Sequence, residues 1–126
     1  MGETAYVARQ SSTIKTAIIK KSITYKGVSY DVEDIRAKAF DGCKSLESVV
    51  IPTKVLNIRQ NAFDNCDSLN AIYYEGQASK WNEISIASPN AKLESVTIYY
   101  YVENQSDLPN SGDYWHYDLS GNPVKW

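Results

Sequence analysis

Histidine is almost missing from this chain, and its scarcity removes most of the chemistry that an enzyme of this size could use. One histidine, His116, stands among 126 residues, so no Ser/His/Asp or Cys/His set can be assembled around it without arbitrary choices. Cysteine is limited to Cys43 and Cys66, with no C-x-x-C spacing, which leaves neither a disulfide framework nor the ligands of a zinc site. H-E-x-x-H, a P-loop, a Gly-x-Gly-x-x-Gly loop and an EF-hand spacing are all absent. Asp41, Asp64 and Asp67 fall near turns, where capping accounts for them better than calcium. No enzyme, catalytic residue, cofactor or metal is therefore expected. The longest uncharged apolar stretch, near Val96 to Val102, is far short of the roughly 20 residues that cross a bilayer, so no membrane span is expected.

A surplus of basic charge is also lacking. The net charge is −2, with 10 basic and 6 acidic side chains in residues 1–60 against 3 and 9 in residues 61–126. A nucleic-acid protein would show a dominant basic face, so that partner is excluded. The 43% apolar content suffices for one core without staples.

What the chain does contain is a repeat. Leu46-Glu47-Ser48-Val49-Val50-Ile51-Pro52 returns as residues 69–75 after 23 residues and as 93–99 after a further 24, and is preceded by 14–20 at a distance of 32. Each copy reads L-x-x-φ-x-φ with φ apolar, the alternation of a strand with one face buried. The inward set is Leu46, Val49, Ile51 and their equivalents. The spacing predicts parallel strands near 16–19, 48–51, 71–74 and 95–99, stacked as a solenoid. Between the second and third copies the match extends to Ile35/Ile58, Ala39/Ala62, Phe40/Phe63, Gly42/Asn65 and Cys43/Cys66. Gly and Asn are the residues that most readily take positive φ, so a left-handed residue is expected there, ending a short helical turn over Arg36 to Asp41. The long first interval is explained by an inserted hairpin, because Ser22 to Val32 alternates on both sides of Lys26-Gly27.

The run Ile35-x3-Ala39-Phe40-x2-Cys43-x2-Leu46-x2-Val49-x-Ile51-Pro52, with its copy from Ile58 to Ile72, resembles the BspA-like (Treponema-type) bacterial leucine-rich repeats. After Glu75 the pattern becomes Gly76-x4-Trp81-x2-Ile84-x-Ile86, similar to a variant last repeat. The resemblance covers roughly residues 14–101. It implies an α/β leucine-rich-repeat solenoid, a short right-handed superhelix of parallel strands. It also implies a non-catalytic protein-binding or adhesion module of a bacterial cell-surface or secreted protein, whose partner the sequence does not name; a host extracellular or matrix protein is one candidate. Met1-Gly2 precedes a polar segment with no apolar core, so no signal peptide is expected, and Met1 is read as an addition to a mature portion of an exported protein.

The expected organisation is a disordered or edge leader over 1–13, in which Tyr6 and Val7 could extend the sheet, an array over 14–101, and a linker with an aromatic capping hairpin over 102–126. Five of ten tyrosines and two of three tryptophans follow residue 98, and an open solenoid end needs a cap. Trp81 is read as a core plug, and Cys43 and Cys66 as a reduced, buried pair. Alternation points Ile18, Val50, Tyr73 and Thr97 out of the sheet in one column and Glu75 and Tyr99 in the next; these six are the candidate partner-binding residues. Strand propensity alone is an equally good explanation of the column's apolar character. A second function, a carbohydrate-binding module with Trp115, Tyr117 and Trp126 as a stacking platform, requires those rings to be coplanar and exposed.

Overall fold

The computed structural model describes residues 4–8, 10, 11 and 13–126. The reading of Met1 as an addition therefore lies outside the described residues. In order, the chain forms β1 (Ala5–Val7), β2 (Thr16–Ile18), β3 (Ser22–Tyr25), β4 (Val28–Ile35), β5 (Ser48–Ile51), β6 (Asn57–Ile58) and β7 (Ala71–Tyr74). Then come α1 (Ala78–Trp81), β8 (Ser85–Ile86), α2 (Ala91–Ser95), β9 (Thr97–Tyr101), a 3-10 turn (Gln105–Asp107), β10 (Tyr114–Tyr117) and β11 (Pro123–Lys125).

The repeat strands stack as the spacing requires. A six-stranded sheet runs β11-β10-β9-β7-β5-β2, parallel throughout except for the β10–β11 hairpin. Opposite it lies a sheet that the sequence reading did not anticipate, β1-β4-β6-β8, parallel, with β3 paired antiparallel to β4. The core fills the space between the sheets. It contains Leu46, Leu69 and Leu93, the inward Val49, Ile51, Ile72 and Tyr74, and Ile35 and Ile58 from the opposite side. Phe40 and Phe63 stack one repeat apart, with ring centroids 5.1 Å apart and planes within 9°. Trp81 plugs this core as expected, edge-on to Tyr74 at 5.2 Å. The inserted hairpin turns at Lys26-Gly27, both at positive φ, 51° and 77°, the requirement of a two-residue type I′ connection. Tyr6 and Val7 do extend a sheet, but it is the second one, through β1.

Two expectations need correction. The first is the helical turn over Arg36 to Asp41, where the chain makes consecutive turns and no helix. A helix there would need its backbone donors, and alternate ones are committed to the next repeat: Lys38 N–H to Gln60 O (3.3 Å), Phe40 N–H to Ala62 O (2.7 Å) and Gly42 N–H to Asp64 O (2.9 Å). Freeing alternate donors takes two left-handed residues per repeat. Gly42 (φ 76°) and Asn65 (φ 58°) form the anticipated pair; Lys38 (φ 60°) and Asn61 (φ 56°) form a second, 23 positions apart as well.

The second correction is the register of the last repeat. Leu93 sits in α2 and not at a strand entry, and β9 begins at Thr97, so Thr97 pairs with Ala71 and Tyr99 with Tyr73. Relative to the expected columns the strand is displaced by two residues, because the helical turn through Ser95 takes up the residues that lead into the strand in earlier repeats. The displacement is even, so alternation survives: Ile98 and Tyr100 still face the core.

Cys43 and Cys66 are buried and are not joined in a disulfide. The Cys66 thiol donates to Phe40 O at 3.0 Å, and burial pushes its pKa up to about 11, with Cys43 adding to the shift. Such a thiol packs as a small hydrophobe and is a poor nucleophile.

Among the described residues, Asn90 is the buried polar one, 7% exposed. In the second repeat Ala39 N–H bonds directly to Arg36 O across the turn, at 3.1 Å. One repeat later the equivalent groups are bridged by the Asn90 carboxamide: Oδ1 accepts from Ala62 N–H (3.2 Å), and Nδ2 donates to Arg59 O (2.8 Å) and Ala87 O (2.7 Å). A side chain thus closes the array where the backbone repeat ends.

Candidate binding face

Alternation turns Ser48 and Val50 of β5, Ala71 and Tyr73 of β7, and Thr97, Tyr99 and Tyr101 of β9 away from the core, on the outer face of the six-stranded sheet. Strand β10 continues that face, because Trp115 pairs with Tyr101, and Lys125 of β11 pairs with Trp115. The tail therefore covers the fourth rung by prolonging its sheet.

Five rings meet on this face. Tyr73 lies 5.4 Å from Tyr99 and 5.3 Å from Trp115; Trp115 lies 5.1 Å from Tyr101 and 4.8 Å from Tyr117, the last two edge-on. These are the tilted and edge-to-face geometries that ring quadrupoles favour. Polar contacts fix the layer. Trp115 Nε1–H donates to Tyr74 O at 2.6 Å, and the Tyr117 hydroxyl donates to Glu75 Oε2 at 2.5 Å. Burial, and then the hydrogen bond to the Glu75 carboxylate, hold the Tyr117 phenol far above its ordinary pKa, so it remains a donor. The Lys125 ammonium stands over the Tyr99 ring, 4.9 Å from its centroid.

The six residues singled out from the sequence share this face but not its exposure. Ile18 is 49% exposed and Thr97 is exposed, whereas Val50 is 0% and Tyr73 7% exposed. Val50, Ala71, Tyr73 and Trp115 form a second apolar cluster, with Tyr99, Tyr101 and Tyr117 packed against it. Val50 and Tyr73 are thus the floor of the layer, not solvent-facing residues, because Trp115 and its neighbours bury this side of the sheet. Tyr99 is half-buried beside Tyr73, and Glu75 is half-buried and engaged by Tyr117. The sequence reading missed Tyr101 and Lys125 as members of the face and took Trp115 and Tyr117 only for a cap or platform. The signal was the alternation Thr97-x-Tyr99-x-Tyr101, which continues the outward column two residues beyond the expected strand end.

The rings named for a carbohydrate platform are not coplanar and exposed: Trp115 is covered, Tyr117 half-buried, and Trp126 stacks on His116 at 3.7 Å. That stacking, with Nδ1 3.0 Å from Tyr117 O, places His116 in the hairpin's packing. Among the described residues, no group of three or more His, Cys, Asp or Glu side chains is placed to hold a metal ion. No helix among them is long and apolar enough to cross a membrane.

No curated protein matches the chain. Among solved structures it is similar to the crystal structure of a leucine rich cell surface protein from Faecalibacterium prausnitzii A2-165, with 38% identity and a TM-score of 0.48 over 57% of this chain. It spans 17% of the length of that protein. The model of the BspA type leucine rich repeat region matches residues 14–107, which include all four repeat strands, the inserted hairpin and both short helices. With the leucines stacked in one core and the strands in parallel register, the chain belongs to the BspA type leucine rich repeat family.

Proposed function

We propose that the chain is a non-catalytic protein-binding module of a bacterial cell-surface or secreted protein, acting in adhesion through the outer sheet face. The observation that carries this reading is the ring layer: Tyr99 and Tyr101 stand half-exposed on a floor of Val50, Tyr73 and Trp115, held by hydrogen bonds at Trp115 and Tyr117. A tyrosine already fixed by its neighbours gives large contact area and a hydroxyl while losing little further entropy on binding. Thr97 and Ile18 extend the exposed part of the face, and Glu75 orients Tyr117 at its edge. Membership of the BspA type leucine rich repeat family supports the surface location, and the adhesive role is part of this proposal.

The test is binding of the purified chain to a panel of host extracellular and matrix proteins by biolayer interferometry. A partner found there should bind the Tyr99→Ala, Tyr101→Ala double variant about tenfold or more weakly, the level that separates contact residues from bystanders. A partner that binds parent and double variant equally well would place the interface elsewhere.

A further inference from the structure

Beside the ring layer, where the ends of β9 and β10 meet the loop after β7, lies a cleft of about 580 Å³, within the range of small-ligand sites, about 300–1,000 Å³. Its walls include Tyr100, Tyr101 and Tyr114, with Gln77, Glu103 and Asp107 around them. We infer that this cleft is a second binding site, for an organic cation carried on an apolar stem.

Tyr100 and Tyr114 stand side by side across β9 and β10, with Tyr101 at the end of β9, and phenol rings offer the apolar surface and electron-rich faces that draw ammonium and guanidinium groups. Two exposed carboxylates, Glu103 and Asp107, stand among them, and among the described residues no lysine, arginine or histidine lines the cleft. Asp107 accepts a long hydrogen bond from Asn104 Nδ2, at 3.4 Å, and is exposed, so its charge can act on a ligand in the cleft. The local field is negative: the Tyr101 phenol is held above its ordinary range by burial first, and then by Glu103 and Glu75. Residues 61–126 carry 3 basic against 9 acidic side chains, which favours the approach of a cation. Two carboxylates at the cleft disfavour an anionic ligand and add attraction for a cationic one that a neutral ligand does not gain. The source of such a cation is either a lysine or arginine side chain of a partner or a free alkylamine.

This inference goes beyond the outer-face reading; Tyr101 alone is common to both surfaces, and the variants used here leave it intact. The full chain would be titrated, with amide chemical shifts as readout, with Nα-acetyl-lysine amide, Nα-acetyl-arginine amide, tetramethylammonium and the neutral norleucine analogue. Cationic probes should move the amides of Tyr101, Val102 and Tyr114 and saturate at roughly millimolar concentration. The neutral analogue should bind about tenfold more weakly, and the Glu103→Gln, Asp107→Asn double variant, altered at exposed positions, should lose the cations by a similar factor. Preference for the two amino-acid amides assigns the source to a partner's side chain; equal binding of tetramethylammonium assigns it to a free amine. The inference is overturned if no cation gives a saturable shift, if the neutral analogue binds as well, or if the double variant binds unchanged.

Discussion

Replacing Trp115 by alanine is expected to destabilise the chain by about 3–5 kcal/mol, the cost of deleting a fully buried large aromatic. The residue is 0% exposed, touches Tyr73, Tyr101 and Tyr117, and bonds to Tyr74 O through Nε1. Its removal opens a cavity in the outer layer and leaves that carbonyl without its indole donor. Against a total stability of roughly 5–15 kcal/mol, typical of natural domains, the variant approaches the limit of folding. Urea unfolding followed by far-UV circular dichroism checks this. Trp115→Phe should recover part of the loss, since it restores ring packing but not the N–H donor. A loss below about 1 kcal/mol in the alanine variant, the level of an ordinary substitution, would show that the ring is not part of the folded layer.

The second large effect is expected at Asn90. Asn90→Ala removes a donor to Arg59 O, a donor to Ala87 O and an acceptor for Ala62 N–H at once. Each buried group left unpaired costs about 1–3 kcal/mol, and water entering the vacated space offsets part of it, so a net loss of about 2–4 kcal/mol is expected. Asn90→Asp keeps the acceptor but turns an oxygen towards the two carbonyls. Its deficit should be larger at neutral pH and shrink as acid protonates the carboxyl, which can then donate. Thermal unfolding of both variants across pH tests this, and an Asp variant as stable as the parent at neutral pH would contradict the bridging role.

Most of the scaffold was legible because the repeat is tightly constrained between Ile35 and Tyr74. The 23-residue period placed β5 and β7 correctly, and the exchange of Gly42 for Asn65 located a left-handed position that both residues occupy. The companion pair Lys38 and Asn61 was hidden, since lysine gives no hint of positive φ. The second sheet was hidden for a different reason: β6 and β8 are two residues each, too short for any periodicity to register. The tetrapeptide Leu-Glu-Ser-Val occurs at 46–49 and again at 93–96, entering a strand in one case and forming a helical turn in the other. Local propensity was overridden by the surrounding rungs, and the outward columns shifted accordingly. The face itself was read correctly in direction and wrongly in exposure. Alternation says which way Val50 and Tyr73 point, but what covers them comes from strands added to the far edge of the sheet.

The aromatic tail is built into the sheet as a further parallel strand, a placement that organises the outer face. Native-state amide exchange tests it most directly at Tyr100, Val102 and Trp126, whose N–H groups bond to Asp113 O, Trp115 O and Tyr114 O, each at 3.0 Å. These amides should open with the same free energy as Glu75 N–H, which bonds to Ile51 O in the middle of the array. Exchange of all three at the rate of unstructured peptide, while Glu75 stays protected, would mean that the tail is not part of the sheet and that the face does not exist as described.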